Sequence, residues 1–109
     1  MASKKELLLF LQDQLSSLEG VESRPMMGEY LLYYKDKLIG GLYDDRLLVK
    51  PVPAARKLLP DAPLVLPYEG GSAMLLVEQI DDRVLLTHLL LEMEPELSAR
   101  KPSKKRGSR

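Results

Sequence analysis

Residues 24–50 limit the fold more than any other part of this chain. They read as three short β-strands joined by two tight turns. Tyr30 to Tyr34 is rich in strand formers, Asp36-Lys37 makes a turn, and Leu38 to Tyr43 is a second strand. Asp44-Asp45 turns again and Arg46 to Lys50 completes a third. Connections this short force neighbouring strands to run antiparallel. The stretch holds no Cys and no His, and no Ser beside a base. It has the makings of a scaffold that presents a surface.

Helical signals flank this meander. Ser3 and Glu6 form a capping box, and Leu7, Leu8, Leu11, Leu15 and Leu18 recur at helical spacing. The pattern predicts an amphipathic helix of about four turns closed by Gly20. Met26, Met27 and Gly28 form the entry to the first strand, where Gly28 suggests close approach of backbone or of the helix. Gly40-Gly41 weakens the second strand and marks either packing, a bulge, or a place where a ligand or backbone comes near. Pro51 and Pro53 end the sheet run, and Ala54 to Leu59 is a short helix closed by Pro60. Residues 60–73 make a long loop with a brief extended piece at Leu64 to Leu66, a length that often serves function. Met74 to Val77 reads as a buried strand. Asp81 or Asp82 caps a last helix, filled by Val84, Leu85, Leu86, Leu89, Leu90 and Met93. Pro95 ends it near Glu94.

A chain of 109 residues with 45% apolar content supports one modest core, and with no Trp that core must be aliphatic. The absence of cysteine excludes disulfides, thiol catalysis and Cys-type zinc sites. The apolar run Leu7 to Leu11 is too short for a signal peptide or membrane span. Net charge is zero but unevenly spread. Arg100, Lys101, Lys104, Lys105, Arg106 and Arg109 place six positives in the last ten residues, which leaves residues 1–99 at −6. The expected organisation is an acidic domain, 1–99, and a disordered basic tail, 100–109.

A search for catalytic chemistry finds little. His88 stands alone among leucines, with Glu92 at i+4 as its one candidate co-ligand, short of a metal set. Asp44-Asp45 and Asp81-Asp82 are better explained as a hairpin turn and a helix cap than as an acid/base pair. Gly70-Gly71-Ser72 lacks the Lys of a phosphate loop and precedes a strand. Tyr30, Tyr33, Tyr34 and Tyr43 fall on one sheet, Tyr33 on the face opposite Tyr30 and Tyr34. Exposed, such rings stack on nucleic-acid bases, and the six tail cations can contact phosphates. The acidic body opposes phosphate everywhere else.

The order Arg24-x-Met26-Met27-Gly28, then Tyr30, then Asp44-Asp45-x-Leu47-x-x-Lys50, resembles the N-terminal domain of the TfoX/Sxy family. Leu66-Pro-Tyr-Glu-Gly70 and Met74 to Glu78 resemble its short, single-domain members. The resemblance spans roughly residues 3–97, with Met27 where many members carry Phe. It implies an α+β fold, an antiparallel β-sheet meander with N- and C-terminal helices packed on one side. The two-domain members regulate natural competence in bacteria, at promoters, and carry a helical C-terminal domain that is not expected here. The expected function is a non-enzymatic, bacterial, cytoplasmic regulatory domain. It needs no cofactor, has no membrane association and acts through a protein partner at exposed sites such as Arg24, Glu29 and Tyr68. Direct nucleic-acid binding through the tail and the Tyr-bearing sheet is the alternative.

Overall fold

The computed structural model describes residues 5–97. Helix α1 (Lys5–Gln14) leads into strands β1 (Val21–Met26), β2 (Glu29–Tyr34), β3 (Lys37–Tyr43) and β4 (Arg46–Val49). Helix α2 (Pro53–Leu58), strands β5 (Leu64–Val65) and β6 (Met74–Val77), and helix α3 (Arg83–Met93) follow, with a 3₁₀ turn at Glu94–Glu96. The six strands form one antiparallel sheet in the order β1-β2-β3-β4-β6-β5. The fold is α+β, as expected. Ser3 of the capping box and the basic residues Arg100, Lys101, Lys104, Lys105, Arg106 and Arg109 lie outside the described residues.

The meander has one more strand than the sequence suggests. β1 pairs with β2 from Val21↔Tyr34 to Met26↔Glu29, so Met27-Gly28 is itself a hairpin turn. All three hairpins are two-residue turns with both central residues at positive φ: Met27 (52°) and Gly28 (87°), Lys35 (51°) and Asp36 (65°), Asp44 (55°) and Asp45 (60°). Turns of this hand match the right-handed twist of the strands they join. The second turn is Lys35-Asp36, one residue before the expected Asp36-Lys37, because Tyr34 pairs with Lys37. Gly28 takes up a left-handed backbone position that glycine adopts without strain.

Gly40-Gly41 follows a bulge. Leu32 pairs with Gly40 and Tyr33 with Leu38, leaving Ile39 as the extra residue on β3. A Cβ on Gly40 would lie 2.0 Å from the Leu48 carbonyl oxygen, and one on Gly41 would lie 2.5 Å from that of Tyr30. The glycines therefore admit the backbones of the flanking strands.

Helix α1 is shorter than its leucine spacing implies. After Gln14 the chain tightens into turns, with Ser16 N–H donating to the Asp13 carbonyl and Leu18 N–H to that of Leu15. The buried Gln14 side chain explains the change of use: its amide donates to the Ile80 carbonyl at 2.9 Å, tying the helix end to the start of α3. Of the two expected candidates, Asp81 and Asp82, it is Asp82 that caps α3: its Oδ1 accepts from Leu85 N–H at 3.0 Å. At the other end Lys37 Nζ donates to the Glu94 carbonyl at 2.9 Å and pairs with its carboxylate.

The core lies between the helices and one face of the sheet. Leu8, Leu11 and Leu15 meet Leu32, Tyr34, Ile39, Leu42, Leu47, Val49, Leu75 and Val77 from the strands, and Leu86, Leu89, Leu90 and Met93 from α3. With side chains alternating along each strand, the opposite, helix-free face carries Leu31, Tyr33, Leu38, Gly41, Tyr43, Leu48 and Leu76. Among the described residues, no helix is long and apolar enough to cross a membrane.

Candidate interaction surface

The helix-free face is apolar, and the β5–β6 loop, residues 66–73, folds back over part of it. Arg46 holds the loop there: its Nε donates to the Tyr43 carbonyl at 3.1 Å and its Nη2 to the Leu66 carbonyl at 3.3 Å. Pro67 is buried by this closure while Tyr68 stays 57% exposed. The Tyr68 ring stands 6.1 Å from that of Tyr43, tilted by 54°. Gly71 lies under Tyr68, with its N–H donating to the Tyr68 carbonyl at 3.0 Å.

The Tyr43–Tyr68 pair divides two grooves. The larger, about 530 Å³, runs between Leu38, Lys50, Pro51, Pro67 and Met74. The smaller, about 420 Å³, is walled by Met26, Met27 and Glu29. The pair contributes to the lining of both. Burial pushes the Tyr43 hydroxyl above the usual phenol range, and neighbouring Tyr68, Glu29 and Tyr33 add to the shift. Tyr43 therefore stays neutral at physiological pH.

Arg24, Glu29 and Tyr68, scattered in sequence, all lie on this side of the sheet. The Arg24 guanidinium sits 5.8 Å from the centre of the Tyr33 ring. Both carboxylate oxygens of Glu29 accept from Asp44 N–H, at 3.1 and 3.2 Å, so the β1–β2 and β3–β4 hairpins are joined at their turn ends. The sheet does not offer a row of stacking tyrosines: Tyr33, Tyr34 and Tyr43 are buried, and Tyr30 packs against the core. His88 is exposed and lines a separate shallow cleft with Lys57, Glu92 and Glu96. No group of three or more metal-ligating side chains forms among the described residues.

Sequence reasoning missed Met27. It is 96% exposed at the tip of the β1–β2 hairpin, with φ at +52°. A large apolar side chain here gains nothing from burial and costs something in backbone strain. Its signal was the Met-Gly pair between two strands, hidden because β1 was not recognised.

A single antiparallel sheet with helices on one face and an apolar, tyrosine-walled opposite face defines a small two-layer α+β domain. The TfoX N-terminal domain matches residues 13–89, and the chain belongs to that non-catalytic family. The "Uncharacterized 12.7 kDa protein in trpE 5'region" of Spirochaeta aurantia is 30% identical over 105 residues, covering 95% of this chain and 91% of that protein. No solved structure matches the chain.

Proposed function

We propose that this is a regulatory interaction domain that has no catalytic role and holds a protein partner on its helix-free face. Met27 carries the reading. A fully exposed methionine in a left-handed backbone position does not serve the fold, and it stands beside a groove shared with exposed Tyr68. Methionine adapts its shape to varied apolar surfaces, and tyrosine supplies rigid contact area with a polar tip. The partner is a protein segment with an apolar anchor, seated against Tyr68 between Glu29 on one side and Lys50 on the other. The resemblance to competence regulators supports placing that contact in transcriptional control in a bacterial cytoplasm.

The test is capture from the native cell on immobilised full chain, compared with Met27→Ala, Tyr68→Ala and a chain lacking residues 100–109. The expected result is a partner lost with either substitution and kept by the truncated chain. Tight nucleic-acid binding by the truncated chain at physiological salt would overturn the proposal, because the sheet would then have to be the phosphate-binding surface. Loss of the partner on truncation alone would do so too.

A further inference from the structure

β1 is one of the two edges of the sheet. The N–H of Lys35 donates to the Gly20 carbonyl at 3.0 Å, just beyond the Val21↔Tyr34 pair. Along an antiparallel strand, residues alternate between turning their backbone groups toward the neighbour and away from it. Gly20 therefore sets the phase: Glu22, Arg24 and Met26 spend their N–H and C=O on β2. Val21, Ser23 and Pro25 aim theirs at the open edge. Pro25 has no N–H and stands where the sheet loses no bond by that.

We propose that β1 pairs antiparallel with β1 of a second copy of this chain, about a two-fold axis at Ser23, so that two six-stranded sheets join edge to edge. A two-fold contact must be self-complementary, and this short strand permits it in one register. With the axis at Ser23, each Ser23 exchanges both backbone bonds with Ser23 of the second copy. Val21 N–H then donates to the Pro25 carbonyl across the seam, in both directions. Glu22 stands directly opposite Arg24 of the second copy, and Arg24 opposite Glu22. These are non-hydrogen-bonded positions, where cross-strand side chains come closest.

The other registers fail. An axis at Val21 puts Glu22 opposite Gly20. An axis at Pro25 leaves the central pair without a donor and puts Arg24 opposite Met26. An axis at Glu22 or Arg24 sets like charges against each other and presents backbone groups already bonded to β2. Glu22 and Arg24 are both exposed, and neither is in an ion pair among the described residues. Arg24 rests over Tyr33, which holds its guanidinium on the helix-free face, the same face as Glu22.

Light scattering coupled to size exclusion, on the full chain over a concentration series at low and high salt, tests the pairing. The expected result is a concentration-dependent dimer, weakened by salt. Glu22→Arg or Arg24→Glu alone turns both seam pairs into like-charge pairs and should weaken the dimer by on the order of tenfold. The double variant Glu22→Arg/Arg24→Glu re-creates opposite charges and should restore it. Ser23→Pro removes an N–H that the chain itself does not use. It should give a monomer with an unchanged circular dichroism spectrum; if it does not fold, the charge-exchange set decides. A wild-type chain that stays monomeric throughout the low-salt series would overturn the proposal. So would a dimer that survives Ser23→Pro, or a double variant no better than the singles. Tyr68→Ala leaves this seam untouched, so the pairing and the partner-binding face fail separately.

Discussion

Gly40→Ala is the sharpest test of the sheet geometry. The added methyl would sit 2.0 Å from the Leu48 carbonyl oxygen and 2.7 Å from the Val49 Cα, both fixed backbone atoms of β4. Neither can rotate away, so β3 and β4 must separate where Gly40 pairs with Val49. Overpacking a filled site costs about 1–3 kcal/mol, and a clash with backbone on a central strand belongs at the upper end. Replacing glycine also trims the entropy of the unfolded chain, which returns about 0.4–1 kcal/mol. The net expectation is a loss of about 2 kcal/mol, or roughly 8–16 °C in Tm for a domain of this size. Urea denaturation with a matched thermal melt measures it. Gly70→Ala is the contrasting case: unlike Gly40, Gly70 has a positive φ, 89°, and a Cβ there would meet nothing within 4 Å, so only backbone strain applies. A Gly40→Ala midpoint within about 0.5 kcal/mol of wild type would show that β4 does not press on β3 beside the bulge.

Two further substitutions probe the hairpin tip and the Lys37 contact. Met27→Asn should stabilise the fold by roughly 0.5–1 kcal/mol, since asparagine tolerates the left-handed position better than methionine; a thermal melt that falls instead would show that Met27 packs against the domain. Glu94 is held below the usual glutamate range chiefly by its hydrogen bond from Lys37. A depressed folded-state pKa means stability that is fully present above the ordinary glutamate value and is lost as pH falls through the lowered one. Wild type should therefore exceed Glu94→Gln in denaturation midpoint at neutral pH, with the gap closing in the acid range; a gap independent of pH would refute the ion-pair account.

The sequence alone determines the local pieces. Asp44-Asp45 between two apolar runs demands a tight turn, the Asp81-Asp82 pair supplies a cap for α3, and Pro95 cannot continue that helix. Each is the chemistry of a few consecutive residues, so each is legible without the rest of the chain. The aliphatic stripe of α1 likewise needs no partner to be read, though its end does: Gln14, the last residue of the helix, is buried and donates to Ile80, far along the chain. β1 shows the limit more clearly. Val21-Glu-Ser-Arg-Pro25 has no run of alternating apolar residues, because an edge strand buries little, and it is a strand only because β2 pairs with it. The sequence offers Arg24, Glu29 and Tyr68 as separate exposed candidates and does not say where they stand relative to one another. They meet on one face because strand alternation, the shift at Ile39 and the Arg46 tether to residues 66–73 act together. The exposure of Met27 was decided last of all, by a hairpin whose first strand exists only in the tertiary structure.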